Sequence, residues 1–352
     1  MAWQGIEGHD ALAALFVAAH DRGRIAGSYL FVGPPGVGKS SFALALAKSL
    51  VCESPRAGLA ACGGCASCVQ AAAGSPPDID VVRKPEDRST IPLESFIGDA
   101  EHRMREGLCW RMLLRPALGG RRVAIILDAD HLADEAANCL LKTLEEPPGQ
   151  SVIILVGTAV ERQLPTIRSR CQIMRFRPLP TDTVRRLVEA DARTAGTQPE
   201  AALLDACAAA AGGSVAQARL LLDPDMASFR GRLVDLLGRR PLHGVALSRE
   251  TTALVDAAGK EAPPRRARLR VILGAAADFF RAALRQGTTG DRPVDASLAR
   301  GVGAWSGDPQ AAVTALEHTL DALDAVDRNA NLNVLVDAWT SLLEEPRLAG
   351  DT

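Results

Sequence analysis

The chain has 352 residues, 47% hydrophobic and 23% charged, with a formal net charge of −2. A chain of this length exceeds one ordinary core, so two or three domains are expected. The near-zero charge excludes a uniformly basic surface, so any contact with nucleic acid has to come from a local patch or from partner subunits. No run of about 18 apolar residues is free of charge, which argues against a membrane span. The start, Met1-Ala2-Trp3-Gln4-Gly5, lacks the basic-then-apolar pattern of a secretory signal, so a cytoplasmic location is expected.

The first half alternates apolar, strand-like runs with helical patterns, which predicts an α/β domain with a parallel sheet. The strand candidates are Ser28–Gly33, Asp78–Val82, Arg122–Asp128, Ser151–Gly157 and Gln172–Arg177. Their continuous apolar character suits strands buried on both faces. Helices are expected over Lys39–Val51 and over Asp134–Glu146, the second halted by Pro147-Pro148-Gly149. After Arg177-Pro178-Leu179-Pro180 the pattern turns helical, with segments at Val184–Ala192, Ala201–Ala210 and Ser214–Leu222. The remainder reads as further helices: Arg230–Leu237, Arg265–Arg285 and Pro309–Leu343, the last interrupted near Asn329–Asn331. The expected organisation is a nucleotide-binding domain over 1–178, a small helical domain over 179–222 and an all-helical domain over 223–352.

Gly33-Pro34-Pro35-Gly36-Val37-Gly38-Lys39-Ser40 fits the phosphate-loop pattern G-x-x-x-x-G-K-[ST] in full. It lies between a strand and a helix, where the chemistry needs it. Gly33, Gly36 and Gly38 let backbone N–H groups curl around phosphate oxygens, and the helix N-terminus favours the anion. Lys39 is placed to reach the outer phosphates and Ser40 to ligate Mg²⁺. Asp128 ends an apolar strand, the place for the acid that holds the Mg²⁺ shell. The next residue, where hydrolytic members of this class usually carry a glutamate, is Ala129. Asp130 and Asp134 lie nearby, but along a strand the adjacent side chain points the opposite way. A base misplaced by about 1 Å costs on the order of a hundredfold in rate. The site therefore reads as competent to bind ATP or ADP with Mg²⁺ and poor at hydrolysis.

Cys52, Cys62, Cys65 and Cys68 follow the spacing C-x₉-C-x₂-C-x₂-C. Four sulfurs with two tight C-x₂-C steps suit a closed, structural tetrahedral zinc site over 52–68, with an iron–sulfur cluster as the chemical alternative. Cys109, Cys139 and Cys207 read as small buried hydrophobes. Arg121-Arg122 and Arg265-Arg266 read as solvated faces.

The phosphate loop, the four-cysteine insertion, Leu140-Leu141-Lys142-Thr143-Leu144-Glu145-Glu146-Pro147-Pro148 and Ser169-Arg170-Cys171 occur in that order. Together they resemble the bacterial DNA polymerase III clamp-loader subunits of the AAA+ superfamily, densely over 8–178 and by helical layout beyond. The resemblance implies a RecA-like AAA+ domain, a helical lid and a helical collar in a hetero-pentameric ring. It implies as partners gamma/tau and delta subunits, the sliding clamp and primer–template DNA. It also implies roles: Arg170 as an arginine finger presented in trans, Thr158 as the sensor-1 residue, and the place of a sensor-2 arginine at Ala216. Ala129 and Ala216 beside an intact Arg170 resemble the non-motor delta-prime type of subunit. An active gamma/tau-type ATPase using Asp130 or Asp134 as a relocated base is the alternative, and a zinc-stabilised DNA-binding module a third.

Overall fold

The computed structural model describes residues 3–344 apart from 75, 87, 104, 119, 294 and 295. The chain divides into two compact units, Met1–Ala218 and Arg219–Thr352.

The first unit holds, in chain order, α1 (Asp10–Asp21), β1 (Ser28–Val32), α2 (Lys39–Val51), α3 (Ala66–Ala72), β2 (Ile79–Val82), α4 (Glu94–Ile97) and α5 (Gly107–Leu113). There follow β3 (Val123–Ile126), a 3-10 turn at Ala129–His131, α6 (Asp134–Glu145), β4 (Val152–Val156), α7 (Pro165–Arg168), β5 (Gln172–Arg175), α8 (Thr181–Thr194), α9 (Ala201–Ala210) and the start of α10 (Val215–Leu221). All five strands pair in parallel, in the order β2-β3-β4-β1-β5. This is the RecA-like AAA+ arrangement that the motifs led us to expect.

Strand alternation explains why the sheet is covered on both sides. Tyr29 and Phe31, Val123 and Ile125, and Val152, Ile154 and Val156 share one core with Phe16 of α1 and Phe42 of α2. The intervening residues Leu30, Val32, Ala124, Ile126, Ile153 and Leu155 enter a second core with Leu140 and Leu144 of α6. Both faces being buried, the inner strands carry no polar alternation, which is what made them readable as apolar runs. The expected strand ends overshoot by one or two residues, because the apolar character continues past the last ladder hydrogen bond.

Beyond β5 the unit is helical. Arg185 of α8 donates from Nε to Asp205 Oδ1 of α9 at 2.5 Å, and the Leu179 N–H donates to Gly213 O at 3.1 Å, anchoring the turn before α10.

The second unit is all helical: α11 (Pro224–Leu237), α12 (Gly244–Asp256), α13 (Ala262–Thr289), α14 (Ala296–Val302), α15 (Pro309–Asp327) and α16 (Leu332–Glu344). The 28-residue α13 buries Ile272, Ala276, Phe279, Phe280 and Ala283 along one stripe, the amphipathic spacing that a core-facing helix requires. Trp305 is 1% exposed and donates from Nε1 to Leu237 O at 2.7 Å. Asp308 caps α15 by accepting from the Ala311 N–H at 2.9 Å, as an N-cap acid should. Arg265-Arg266 is not a freely solvated pair: Arg265 binds Asp256 and donates to Asn333 Oδ1 at 3.2 Å, and Nε of each arginine is buried. No helix among the described residues is long and apolar enough to cross a membrane.

Candidate functional site

The phosphate loop leaves the end of β1 and feeds α2. Gly33, Gly36 and Gly38 have φ of 152°, 75° and 96°, a region that L side chains avoid. Each substitution by a bulkier residue would therefore strain the loop. Lys39 starts α2, is 7% exposed and donates from Nζ to Gly33 O and Pro34 O, both at 2.6 Å. Burial lowers the Lys39 pKa from 10.5 to about 8, while nearby Asp130 acts in the opposite direction. The ammonium is thus stored inside the loop, on carbonyls that a phosphate can replace. Ser40 is exposed and its hydroxyl has no partner among the described residues.

Two elements close on the loop. His9, before α1, is 6% exposed and places Nε2 2.7 Å from Val37 O. Its ring stands edge-on to Phe176, with centroids 4.8 Å apart. On the other side the Val215 N–H donates to Gly36 O at 3.0 Å. A Cβ at Gly36 would lie 2.8 Å from Cβ of Ala216. The position expected for a sensor-2 arginine is therefore beside the loop and carries only a methyl group.

The acidic side differs from the strand picture. β3 ends at Ile126, and Ala129–His131 is a 3-10 turn entered through Asp128 at φ 55°, a left-handed conformation that Asp tolerates. Asp128 is exposed, whereas Ala129 is 2% exposed in the second core. The turn corrects the expectation that Asp130 points away from the site. Its Oδ2 accepts from the Thr158 N–H at 2.8 Å and from Thr158 Oγ1 at 2.6 Å, and its Oδ1 accepts from Gln163 Nε2 at 2.5 Å. Thr158 in turn meets the phosphate loop, its carbonyl accepting from the Gly33 N–H at 3.1 Å. Gln163, 4% exposed, carried no signal in the sequence, since it sits in a loop 33 residues from its partner.

The structure thus brings together Gly33, Lys39 and Thr158 and adds His9, Asp130 and Gln163. Arg170 belongs to a different place. It follows α7, where its Nε donates to Glu145 Oε1 at 2.6 Å and its Nη1 to Thr166 O at 2.9 Å and Ser169 Oγ at 3.2 Å, while Nη2 also binds Glu145. Its side chain is 28% exposed and that of Glu145 49%. Two motifs recognised separately, Leu-Glu-Glu-Pro-Pro and Ser-Arg-Cys, are therefore one contact. The neighbouring Cys171 is buried, which pushes its thiol up to about 12.

The four insertion cysteines do converge, with all Sγ atoms within 4.8 Å of one another. Cys52 Sγ is 3.9 Å from Cys65 Sγ, and Cys62 Sγ is 3.9 Å from Cys68 Sγ. A tetrahedral ion with bonds of about 2.3 Å sets its sulfurs about 3.8 Å apart, so the cage fits such an ion. Backbone N–H groups of Gly64 and Cys65 draw the Cys62 thiol down to about 6, whereas burial pushes Cys68 up to about 12. The first favours a thiolate outright; the second requires a cation to offset its desolvation. Arg122, expected on a solvated face, is 7% exposed and donates to Asp80 Oδ2 at 3.3 Å and Pro77 O at 2.9 Å. It is a structural tie between β2 and β3 rather than a nucleic-acid contact.

Residues 8–180 match a family model described as DNA polymerase III, delta subunit. That segment belongs to the DNA polymerase III clamp-loader subunits. Over 220 residues the chain is 36% identical to DNA polymerase III subunit gamma/tau of Mycobacterium tuberculosis, covering 62% of this chain and 36% of that protein. It is 35% identical over 207 residues to the delta' subunit of Pseudomonas aeruginosa, covering 59% of each. To the delta' subunit of Escherichia coli it is 34% identical over 164 residues, covering 47% of this chain and 46% of that one. The chain spans less than two thirds of the length of each of these clamp-loader relatives. Both subunit types match at similar identity, so the type is a matter for the chemistry of the site.

Proposed function

We propose that the chain is a delta-prime-type, non-motor subunit of the replicative clamp loader. In this reading residues 1–178 bind nucleotide, 179–222 form the lid and 223–352 the collar. The ring is hetero-pentameric with gamma/tau and delta subunits, and it places the sliding clamp on primer–template DNA. The observation that carries the reading is the lack of a free base beside the loop: residue 129 is a buried alanine, and Asp130 has both oxygens engaged by Thr158 and Gln163.

Gly33, Gly36, Gly38, Lys39 and Ser40 would hold the phosphates of ATP or ADP, with Asp128 on the Mg²⁺ shell and Thr158 beside the outer phosphate. Magnesium supplies charge neutralisation when bound. Cys52, Cys62, Cys65 and Cys68 would hold a structural zinc ion. Arg170 would serve a neighbour's site, where a guanidinium that neutralises transferring phosphoryl charge is worth roughly 10³–10⁵ in rate.

A gamma/tau-type motor remains the second reading, favoured by the complete phosphate loop and the gamma/tau identity. Phosphate release separates the two. The purified chain is expected to hydrolyse ATP at background, and Arg170→Ala to slow an assembled loader by at least about a hundredfold at the adjacent site. Robust turnover by the isolated chain, abolished by Lys39→Ala, would establish the motor instead.

A further inference from the structure

We propose that Asp130 makes the phosphate loop select a nucleoside diphosphate over a triphosphate. The inference rests on the reading that the loop holds nucleotide and adds which one it prefers.

Thr158 is the group that the outermost phosphate would meet. It lies at the end of β4, beside the end of β1 from which the loop springs, and its carbonyl is bound to Gly33. In open parallel sheets, ligands lie beyond the carboxyl ends of the strands. Both donors of Thr158, the N–H and the hydroxyl, are committed to one oxygen of Asp130. The other oxygen is fixed by buried Gln163. Gly157 makes room for this arrangement: a Cβ there would lie 2.6 Å from Asp130 Oδ1 and 2.8 Å from Gln163 Nε2. The carboxylate is thus a built feature of the loop's mouth, and its charge reaches Lys39.

A third phosphate meets two obstacles that a diphosphate avoids. It brings negative charge towards a fixed carboxylate, and it finds the Thr158 donors already taken. The first two phosphates lie deeper, in the N–H cradle of the loop and at the start of α2. A like charge close by, at an effective dielectric of about 20, changes an equilibrium constant by about tenfold or more.

The test is calorimetric titration of the purified chain, in Mg²⁺, with ADP and with a non-hydrolysable ATP analogue. Wild type, Asp130→Asn, Asp130→Ala and Lys39→Ala are compared, with circular dichroism verifying that each is folded. Wild type is expected to favour ADP by about tenfold or more, and Asp130→Asn to reduce that ratio to below about threefold by tightening the analogue. Asp130→Ala, which also frees Thr158, is expected to reduce it at least as far. Equal binding of the two nucleotides by wild type, or a ratio unchanged in both Asp130 variants, overturns the inference while leaving the loop a nucleotide site. Binding of neither nucleotide by any folded form overturns the nucleotide-site reading, and the inference falls with it.

Discussion

Stripping the metal from the cysteine insertion should unfasten that segment and leave the sheet standing. Segment 52–68 is held by three kinds of contact. Leu59 is 1% exposed in the first core. Trp3 Nε1 donates to Gly58 O at 2.9 Å, and Gln4 ties the insertion to α2, donating to Leu59 O at 3.4 Å and to Ser49 Oγ at 2.5 Å. The third is the sulfur cage. Exposing one leucine costs about 1.5–3 kcal/mol, and each lost hydrogen bond about 0.5–1.5 kcal/mol. Release of the loop should therefore cost about 3–6 kcal/mol. In a unit of this size about 1 kcal/mol moves the melting midpoint by roughly 2–4 °C, so Cys65→Ser should lower it by at least about 6 °C. The assay pairs metal analysis of the purified chain with calorimetry and limited proteolysis. Wild type should carry one zinc per chain, and Cys65→Ser or chelation should open a cleavage site between residues 52 and 72. A metal-free wild-type chain with the same melting midpoint and cleavage pattern as Cys65→Ser would refute the reasoning.

Two further outcomes follow from charged groups. Lys39 is depressed to about 8 in the folded chain from 10.5, so between those values the unfolded chain binds the proton more strongly and stability rises with pH. Denaturant titrations of wild type and Lys39→Met from pH 8 to 10.5 should show the wild type gaining roughly 3 kcal/mol relative to the variant; parallel profiles would contradict a buried ammonium. Glu145→Gln breaks a half-exposed pair and should cost no more than about 1 kcal/mol of stability. In an assembled loader it should slow ATP hydrolysis by about tenfold through loss of Arg170 orientation, less than Arg170→Ala does. An unchanged rate would deny Glu145 a positioning role.

The sheet and the loop were legible in the sequence for a definite reason. A strand buried on both faces must be apolar at every position, so Val123-Ala124-Ile125-Ile126-Leu127 announces itself without knowledge of its neighbours. The loop is equally local, since glycines at 33, 36 and 38 answer to backbone conformation within eight residues. Helix α1 was not read, because Ala11–Ala19 is apolar or small almost throughout and leaves no helical stripe. Helix α12 likewise went unread. The acidic turn misled because a strand period was extended two residues past the true end of β3.

The sequence by itself determined the local chemistry: a phosphate cradle, a four-sulfur cage, an alanine where a base is expected, and an arginine after α7. Only the tertiary structure decided the partners of those groups. Asp130 turns to Thr158 and Gln163 because β3 lies beside β4, which brings residues 28 and 33 positions apart to one strand end. Arg170 meets Glu145 across 25 residues, and Arg122 meets Asp80 across 42. Such pairs obey no local period. They are fixed by strand order and helix packing, which pool residues from distant parts of the chain and set which charges are neutralised and which remain available to a ligand or a neighbouring subunit.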